Sequence, residues 1–224
     1  MESKNFKTTI SCDAQCAKSS YEDVAPHFIN DKMTQKVSIL DIELIDSSLT
    51  IKYDDLSIPS LESKLNLLSN FDIKMGNTFL IIKELSSNND DLILRLPYDL
   101  SYANIKIKVG KGLLSLPNLK SEIMKFENEN AKFEIDKINT ALLIIENQVG
   151  MIKIAKIVSD EIDFSNQKGD ISVGQILTKK AQVKTGLGSV VVKKSTAKLD
   201  YFESDGGDIF WDSRLISNNS KGMN

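Results

Sequence analysis

The chain has 224 residues, of which 41% are hydrophobic, 26% charged and 7% aromatic, a composition typical of globular proteins rather than disordered or fibrous ones. Its 28 basic and 31 acidic residues give a formal net charge of -3, and the only arginines are Arg95 and Arg214, which argues against nucleic-acid binding. No apolar stretch approaches the roughly 20 residues of a membrane-spanning helix, so no membrane span is predicted.

Residues 1–35 are predicted to be an irregular N-terminal arm or cap, because they show no regular hydrophobic period. They contain no apolar segment typical of a secretory signal. Cys12 and Cys16 could join His27, the only histidine, around a metal ion, but a closed zinc site needs four ligands. We therefore predict no metal site, with the two thiols either free or, in an oxidising compartment, paired.

Alternating apolar residues, which indicate strands, begin after Lys36. Leu40, Ile42 and Leu44 alternate first, and Leu49 and Ile51 continue the pattern. The alternation is lost over 54–77, where 60–69 could be a helical turn or an inserted loop. Strands are predicted again at 79–82 and 92–96.

A repeat with a period of 19 organises the second half of the chain. Its turn position recurs at Gly112, Ala131, Gly150, Gly169, Gly188 and Gly207. Apolar residues occupy the positions two and four places after the turn, and those five and seven places before it. Polar residues separate them, so each repeat holds two strands that alternate with a period of two.

This period predicts an all-β fold, a single-stranded parallel β-solenoid (β-helix) with about 19 residues per coil, expected to be right-handed. It spans 36–211, with regular coils over 105–211. Glycine at the turn would permit a positive φ. Because Ala131 cannot do so easily, Asn130 or a neighbour is expected to take the left-handed conformation instead.

Three asparagines occupy the position three places before the turn, at Asn128, Asn147 and Asn166. Stacked amides can hydrogen-bond along the axis of a solenoid as a polar ladder. Asparagine is also common in solvated turns. The sequence leaves both interpretations open.

Apolar residues collect at the C-terminal end of the repeat. Val191, Tyr201 and Phe210 stand at outward positions and Trp211 ends an inward column. Either the tail, 212–224, caps this end through Leu215 and Ile216 before becoming disordered, or Val191, Tyr201 and Phe210 form a docking face for a partner or for self-association.

The segment Leu94, Arg95, Leu96, Pro97, Tyr98, which leads into the alternating residues 105–109 and the repeated glycine phrases, resembles the DUF4097 family of bacterial β-strand repeat proteins, often labelled adhesins. The resemblance covers roughly 36–211. It implies a β-solenoid of the bacterial envelope or surface, with relatives linked to envelope-stress responses, and it carries over no catalytic residues.

Sites for chemistry are not predicted. Gly110 and Gly112 lack the rest of a phosphate-binding loop, and Asp205 and Asp208 lack the nine-residue recurrence of a calcium-binding repeat. The outward rows alternate in sign without a recurring aromatic row, so no catalytic residue and no cofactor are predicted.

Three functions remain in order of preference. The first is a non-catalytic interaction or scaffold module of the bacterial cell envelope, with a protein or cell-surface glycan as partner. The second is a cytoplasmic self-assembling scaffold similar to bactofilins, which the missing signal segment favours if the sequence is complete. The third is an enzyme acting on polysaccharide.

Overall fold

A computed structural model of the chain describes residues 39–56, 59–65, 67–76, 78–98, 102–196, 200–217 and 221–222. The predicted N-terminal arm, with Cys12, Cys16 and His27, lies outside the described residues. Within them the chain forms strands β1 to β17, in order Ile39–Leu44, Ser48–Asp54, Ser60–Ser63, Phe71–Met75, Phe79–Glu84, Asp91–Pro97, Tyr102–Val109, Leu113–Asn128, Lys132–Asn147, Met151–Asn166, Asp170–Leu177, Lys180–Thr185, Val190–Ser195, Tyr201–Ser204, Ile209–Trp211, Arg214–Ser217 and Lys221–Gly222.

The described strands pair as one stacked sheet, and the predicted parallel β-solenoid is confirmed. Tyr102 of β7 pairs with Ser121 of β8, and Leu114 of β8 pairs with Phe133 of β9, so that in each pair the partners are one repeat apart in the chain. The same offset continues through β10 to β15. Each coil therefore hydrogen-bonds to the next, and the apolar columns merge into one core.

Four successive regular coils bury one apolar column beyond those predicted. This column lies seven places after the turn position and is fully buried at Leu119, Ile138, Ile157 and Ile176. It follows the column of Leu116 and Ile135 by three places instead of two. Two consecutive outward residues therefore stand between them, and the chain bends there without ending the strand.

The order of coils at the N-terminal end differs from their order in the sequence. Strand β1 pairs in parallel with β5 on one side and with β7 on the other, and β2 lies in the same way between β6 and β8. The coil of β1 and β2 is thus inserted between a coil that follows it in the chain and the regular stack.

Both ends of the described stack terminate in antiparallel strands. At the N-terminal end β4 pairs with β5 and β3 with β6. Between β3 and β4, where the sequence predicted a turn or a loop, the described residues include a 3-10 turn, Leu68–Asn70. At the C-terminal end β16 pairs with β15 and β17 with β14. The described parts of the tail therefore pair along the last coil, as the capping interpretation predicted for Leu215 and Ile216, and the disorder expected for the rest of the tail stays a prediction.

The turn glycines serve a purpose other than the predicted one. Only Gly112 of that column has a positive φ, at 99°. A Cβ on Gly188 would lie 1.9 Å from the carbonyl oxygen of Gly169, and one on Gly169 would lie 2.1 Å from that of Gly150. Glycine is thus required because stacked turns approach closely.

The prediction of a positive φ at Asn130 or a neighbour is wrong. The described non-glycine residues with positive φ are Asn89, Asp212 and Ser213. In the stack, the turn of Ala131 lies next to the turn of Gly112. Because Gly112 has a positive φ and the later glycines of the column do not, the backbone of the first turn follows a different path from that of the later turns. Asp212 and Ser213 make the tight reversal between β15 and β16, where two consecutive positive φ values suit a hairpin.

Candidate functional site

The column of Asn128, Asn147 and Asn166 forms a hydrogen-bonded amide ladder along the stack. Nδ2 of Asn128 donates to Oδ1 of Asn147 at 2.9 Å, and Nδ2 of Asn147 donates to Oδ1 of Asn166 at 2.8 Å. The three side chains are 1–2% exposed. The structure thus places these side chains in the interior, and the interpretation of a solvated turn does not apply to them.

Each ladder amide also holds its own turn. Nδ2 of Asn147 donates to the carbonyl oxygen of Gly150 at 2.8 Å, and Nδ2 of Asn166 does the same to Gly169 at 2.6 Å. The hydroxyls of Thr185 and Ser204 continue the column by donating to Gly188 and Gly207. The ladder therefore fixes the turn at which glycine allows close stacking.

A second polar column, which the sequence analysis missed, holds another bend of the coil. The hydroxyl of Thr140 donates to the carbonyl oxygens of Glu122 and Leu142, and that of Ser159 donates to those of Ala141 and Glu161. Thr178 repeats the arrangement. A period of 19 at Ser121, Thr140, Ser159 and Thr178 was the available signal. Both columns are structural, because their polar atoms are engaged within the chain.

A buried carboxylate, Glu84, joins the inserted coil to its neighbour. Oε2 of Glu84 accepts hydrogen bonds from the backbone N–H groups of Ile45, Asp46 and Ser47 at 2.6, 3.2 and 3.2 Å. Oε1 accepts from the Ser47 hydroxyl at 2.8 Å and from the backbone N–H of Asn88. Successive N–H groups that converge on one carboxylate form an anion-binding nest, so here the chain supplies its own anion.

Replacing Glu84 with glutamine should lower the free energy of unfolding by about 2 kcal/mol, because charge-assisted hydrogen bonds are lost and an amide N–H₂ must face backbone donors. Urea unfolding measures this change. Glu122→Gln at the exposed outer surface is the matched control and should change stability by less than about 0.5 kcal/mol. Equal effects of both substitutions would contradict the role of Glu84.

Asp46 extends this network on the outside. Its carboxylate accepts hydrogen bonds from the Ser87 hydroxyl and from the backbone N–H groups of Asn88 and Asn89. The hydrogen bond from Ser87, with those from the backbone, lowers the pKa of Asp46. The loop 85–90 is therefore held by two carboxylates, one buried and one half-buried, and offers no open anion site.

A groove of about 650 Å³ lies beside this region, between β2, β3 and β6. Its charged side chains are paired with one another. Nε of Arg95 lies 3.1 Å from Glu62 and Nη1 lies 3.1 Å from Asp54, and Nζ of Lys64 lies 2.8 Å from Asp91. Because each cation of the groove has an acidic partner, these charges do not select a charged ligand.

The predicted docking face is not brought together as one surface. Val191 of β13 pairs with Phe210 of β15, and Phe210 pairs with Leu215 of β16. Tyr201 lies on β14, which pairs with β12 and β17, and its hydroxyl donates to Glu203 at 2.9 Å. The structure therefore groups Val191 with Phe210 and Leu215, and separates Tyr201 from them.

Metal-ligating side chains do not cluster within the described residues. In that part of the chain no group of three or more histidine, cysteine, aspartate and glutamate side chains could hold an ion. Nor does any described helix have the length and apolar character to cross a bilayer.

The sequence profile of Toastrack DUF4097 matches residues 68–221. The chain belongs to this family. The match begins at the 3-10 turn, so the inserted coil of β1 and β2 lies outside the matched part of this Toastrack chain although it pairs on both sides with strands inside it.

One solved structure similar to this Toastrack chain is described as the "crystal structure of a putative adhesin" from Bacteroides fragilis. The two have 12% sequence identity and a TM-score of 0.47, and the alignment covers 78% of this chain and 91% of the other. No curated protein matches the chain.

Proposed function

We propose that this Toastrack chain is a non-catalytic interaction module presented at the bacterial cell envelope. The observation that supports it is the continuous outer surface of the stack, where side chains of successive coils stand in rows at the ~4.8 Å spacing of paired strands. Such a surface recognises an extended partner along its length and does not enclose a small molecule.

Hydrogen bonds and packing inside the stack make the outer rows of side chains rigid. The amide ladder and the Ser/Thr column hold two bends of the regular coils, and the apolar columns between them are almost completely buried. Because coils cannot shift against one another without breaking both columns, the rows keep their spacing when a partner binds. This rigidity lowers the entropy cost of binding.

A self-assembling scaffold would need strand edges that stack end to end in parallel. In the described residues β3 and β4 cover one end, and β16 and β17 cover the other, all in antiparallel pairing. Short covering strands of this kind are a common protection against edge association. We therefore favour presentation over filament formation.

Protease treatment of intact source cells tests the location. An antibody to the solenoid is used for detection, and a cytosolic protein serves as the lysis control. We expect the signal to be lost from intact cells while the control protein is retained. Full protection until lysis would contradict presentation at the envelope.

A further inference from the structure

A row of lysines follows the axis of the stack on one outer face. Lys137 of β9 pairs directly with Lys156 of β10, Lys156 pairs with Gln175 of β11, and Gln175 pairs with Lys194 of β13. We call Lys137, Lys156 and Lys194 the lysine row. Its members stand about 5 and about 10 Å apart along the axis, at one and two strand spacings.

The lysine row has no acidic partner among the described residues. Ion pairs of the regular coils lie elsewhere, as at Lys125, which contacts Glu127 and Glu146 at 3.1 and 2.9 Å, and at Lys180, which contacts Glu161 at 2.6 Å. Like charges directly opposite each other on paired strands are destabilising. Folding therefore does not explain why Lys137 and Lys156 stand side by side.

One edge of the lysine row is formed by the residues that directly precede, in the chain, its three lysines and Gln175. In successive coils they are Asp136, Ala155, Gly174 and Lys193. The two ends of this edge carry opposite charges, and its middle has only small side chains. A polymer that lies along the solenoid axis can therefore come close to the lysine side chains beside Ala155 and Gly174.

We propose that the lysine row binds a linear anionic glycopolymer, with its repeating carboxylate or phosphate groups aligned along the solenoid axis. This inference rests on the proposed function and names its partner. A row one residue wide with repeated unpaired charges matches a linear polyanion. A membrane surface would need large apolar side chains to insert beside the charges, whereas the edge of this row has Ala155 and Gly174 there. Single-stranded nucleic acid would need aromatic platforms for its bases, which the row does not include.

Binding of purified protein to polygalacturonate and to long-chain inorganic polyphosphate tests the row, with neutral dextran as the blank. The variant Lys137→Gln, Lys156→Gln, Lys194→Gln is compared with Lys106→Gln, Lys125→Gln, Lys180→Gln, which removes the same net charge from the other faces. We expect at least one of the two polyanions to bind, the row variant to weaken its Kd at least 10-fold, and the control variant to change it less than about 2-fold. The dependence of log Kd on log salt should become shallower only in the row variant.

Thermal unfolding of each variant shows whether weaker binding is caused by a loss of folding. Because the row variant loses like-charge repulsion, it should be at least as stable as the wild type. Three other results would overturn the proposal. These are no binding of either polymer at 20 mM salt, equal weakening in both variants, or row-dependent binding only to phosphatidylglycerol vesicles or single-stranded DNA. Row-dependent polymer binding together with full protection of the protein in intact cells would reject the envelope location and leave the lysine row in place.

Discussion

Replacing Asn147 with aspartate should lower the free energy of unfolding by about 3 kcal/mol at pH 7, because it buries a charge and removes a donor. Asn147 is 1% exposed, and its Nδ2 donates to the carbonyl oxygen of Gly150 and to Oδ1 of Asn166. A carboxylate oxygen at that place would face two acceptors. Urea unfolding at pH 7 measures the change.

The effect of this substitution should depend on pH. Acceptors and burial raise the pKa of the new carboxyl in the folded state above its unfolded value of about 3.9. Protonation then favours the folded state, so the stability difference from wild type should shrink as pH falls through the folded pKa and be smallest below about pH 4. Asn118→Asp, at an exposed position in β8, is the control and should cost less than about 0.5 kcal/mol. A pH-independent loss, or equal losses at both positions, would contradict the ladder.

Replacing Gly188 with alanine should lower the free energy of unfolding by about 3 kcal/mol, the upper part of the range seen when packed backbone must move to relieve a clash. The new Cβ would lie 1.9 Å from the carbonyl oxygen of Gly169. Both atoms belong to stacked turns, so neither can rotate away as a flexible side chain would. The shift in the urea midpoint, at constant slope, measures the loss.

Gly206→Ala separates this steric cost from backbone strain. Gly206 has a φ of 143°, and a Cβ there would meet no described atom closer than Leu187 at 3.5 Å. Its substitution should cost about 1–2 kcal/mol from the unfavourable φ alone. If Gly188→Ala proved milder than Gly206→Ala, close stacking would not be the reason for the glycine column.

The regular half of the fold could be predicted because its contacts repeat in the sequence. Each of the columns that contain Phe126 and Ile152 returns once in every repeat, and the same offset is the pairing register of the strands. Periodicity along the chain therefore reports directly on neighbours in space.

The N-terminal order could not be predicted in this way. The alternation at Leu40 and Ile42 is satisfied equally well beside β5, beside β7 or between them, because a strand with two neighbours has the same alternating pattern as one at an edge. Ile39 pairs with both Phe79 and Asn104, and each of these partners is more than one repeat away in the chain. The offset between Ile39 and Phe79 differs from that between Ser48 and Asp91, and the offset between Ile39 and Asn104 returns only where β2 pairs with β8, so neither forms a repeat along the chain.

The role of the glycines was missed for a related reason. Whether Gly188 needs a positive φ or an absent Cβ depends on the distance to Gly169 in the next coil, which is a property of packing between coils. The lysine row left a visible signal at Lys137, Lys156 and Lys194, but Gln175 interrupts it, and charge alternation on the neighbouring rows concealed it.

The inserted coil has a consequence for the kinetics of folding. Coils from β8 onward can add one after another, with a loop only one repeat long to close each time. Strand β1 acquires its two partners only when β5 and then β7 are present, so closing those loops costs more entropy and slows folding. Glu43 of β1 and its partner Lys108 of β7 are 65 residues apart in the chain. During synthesis on the ribosome, β1 is made first among the described strands but cannot complete its pairing until the chain as far as β7 has been made. It has a neighbour on both sides only when β7 docks on it.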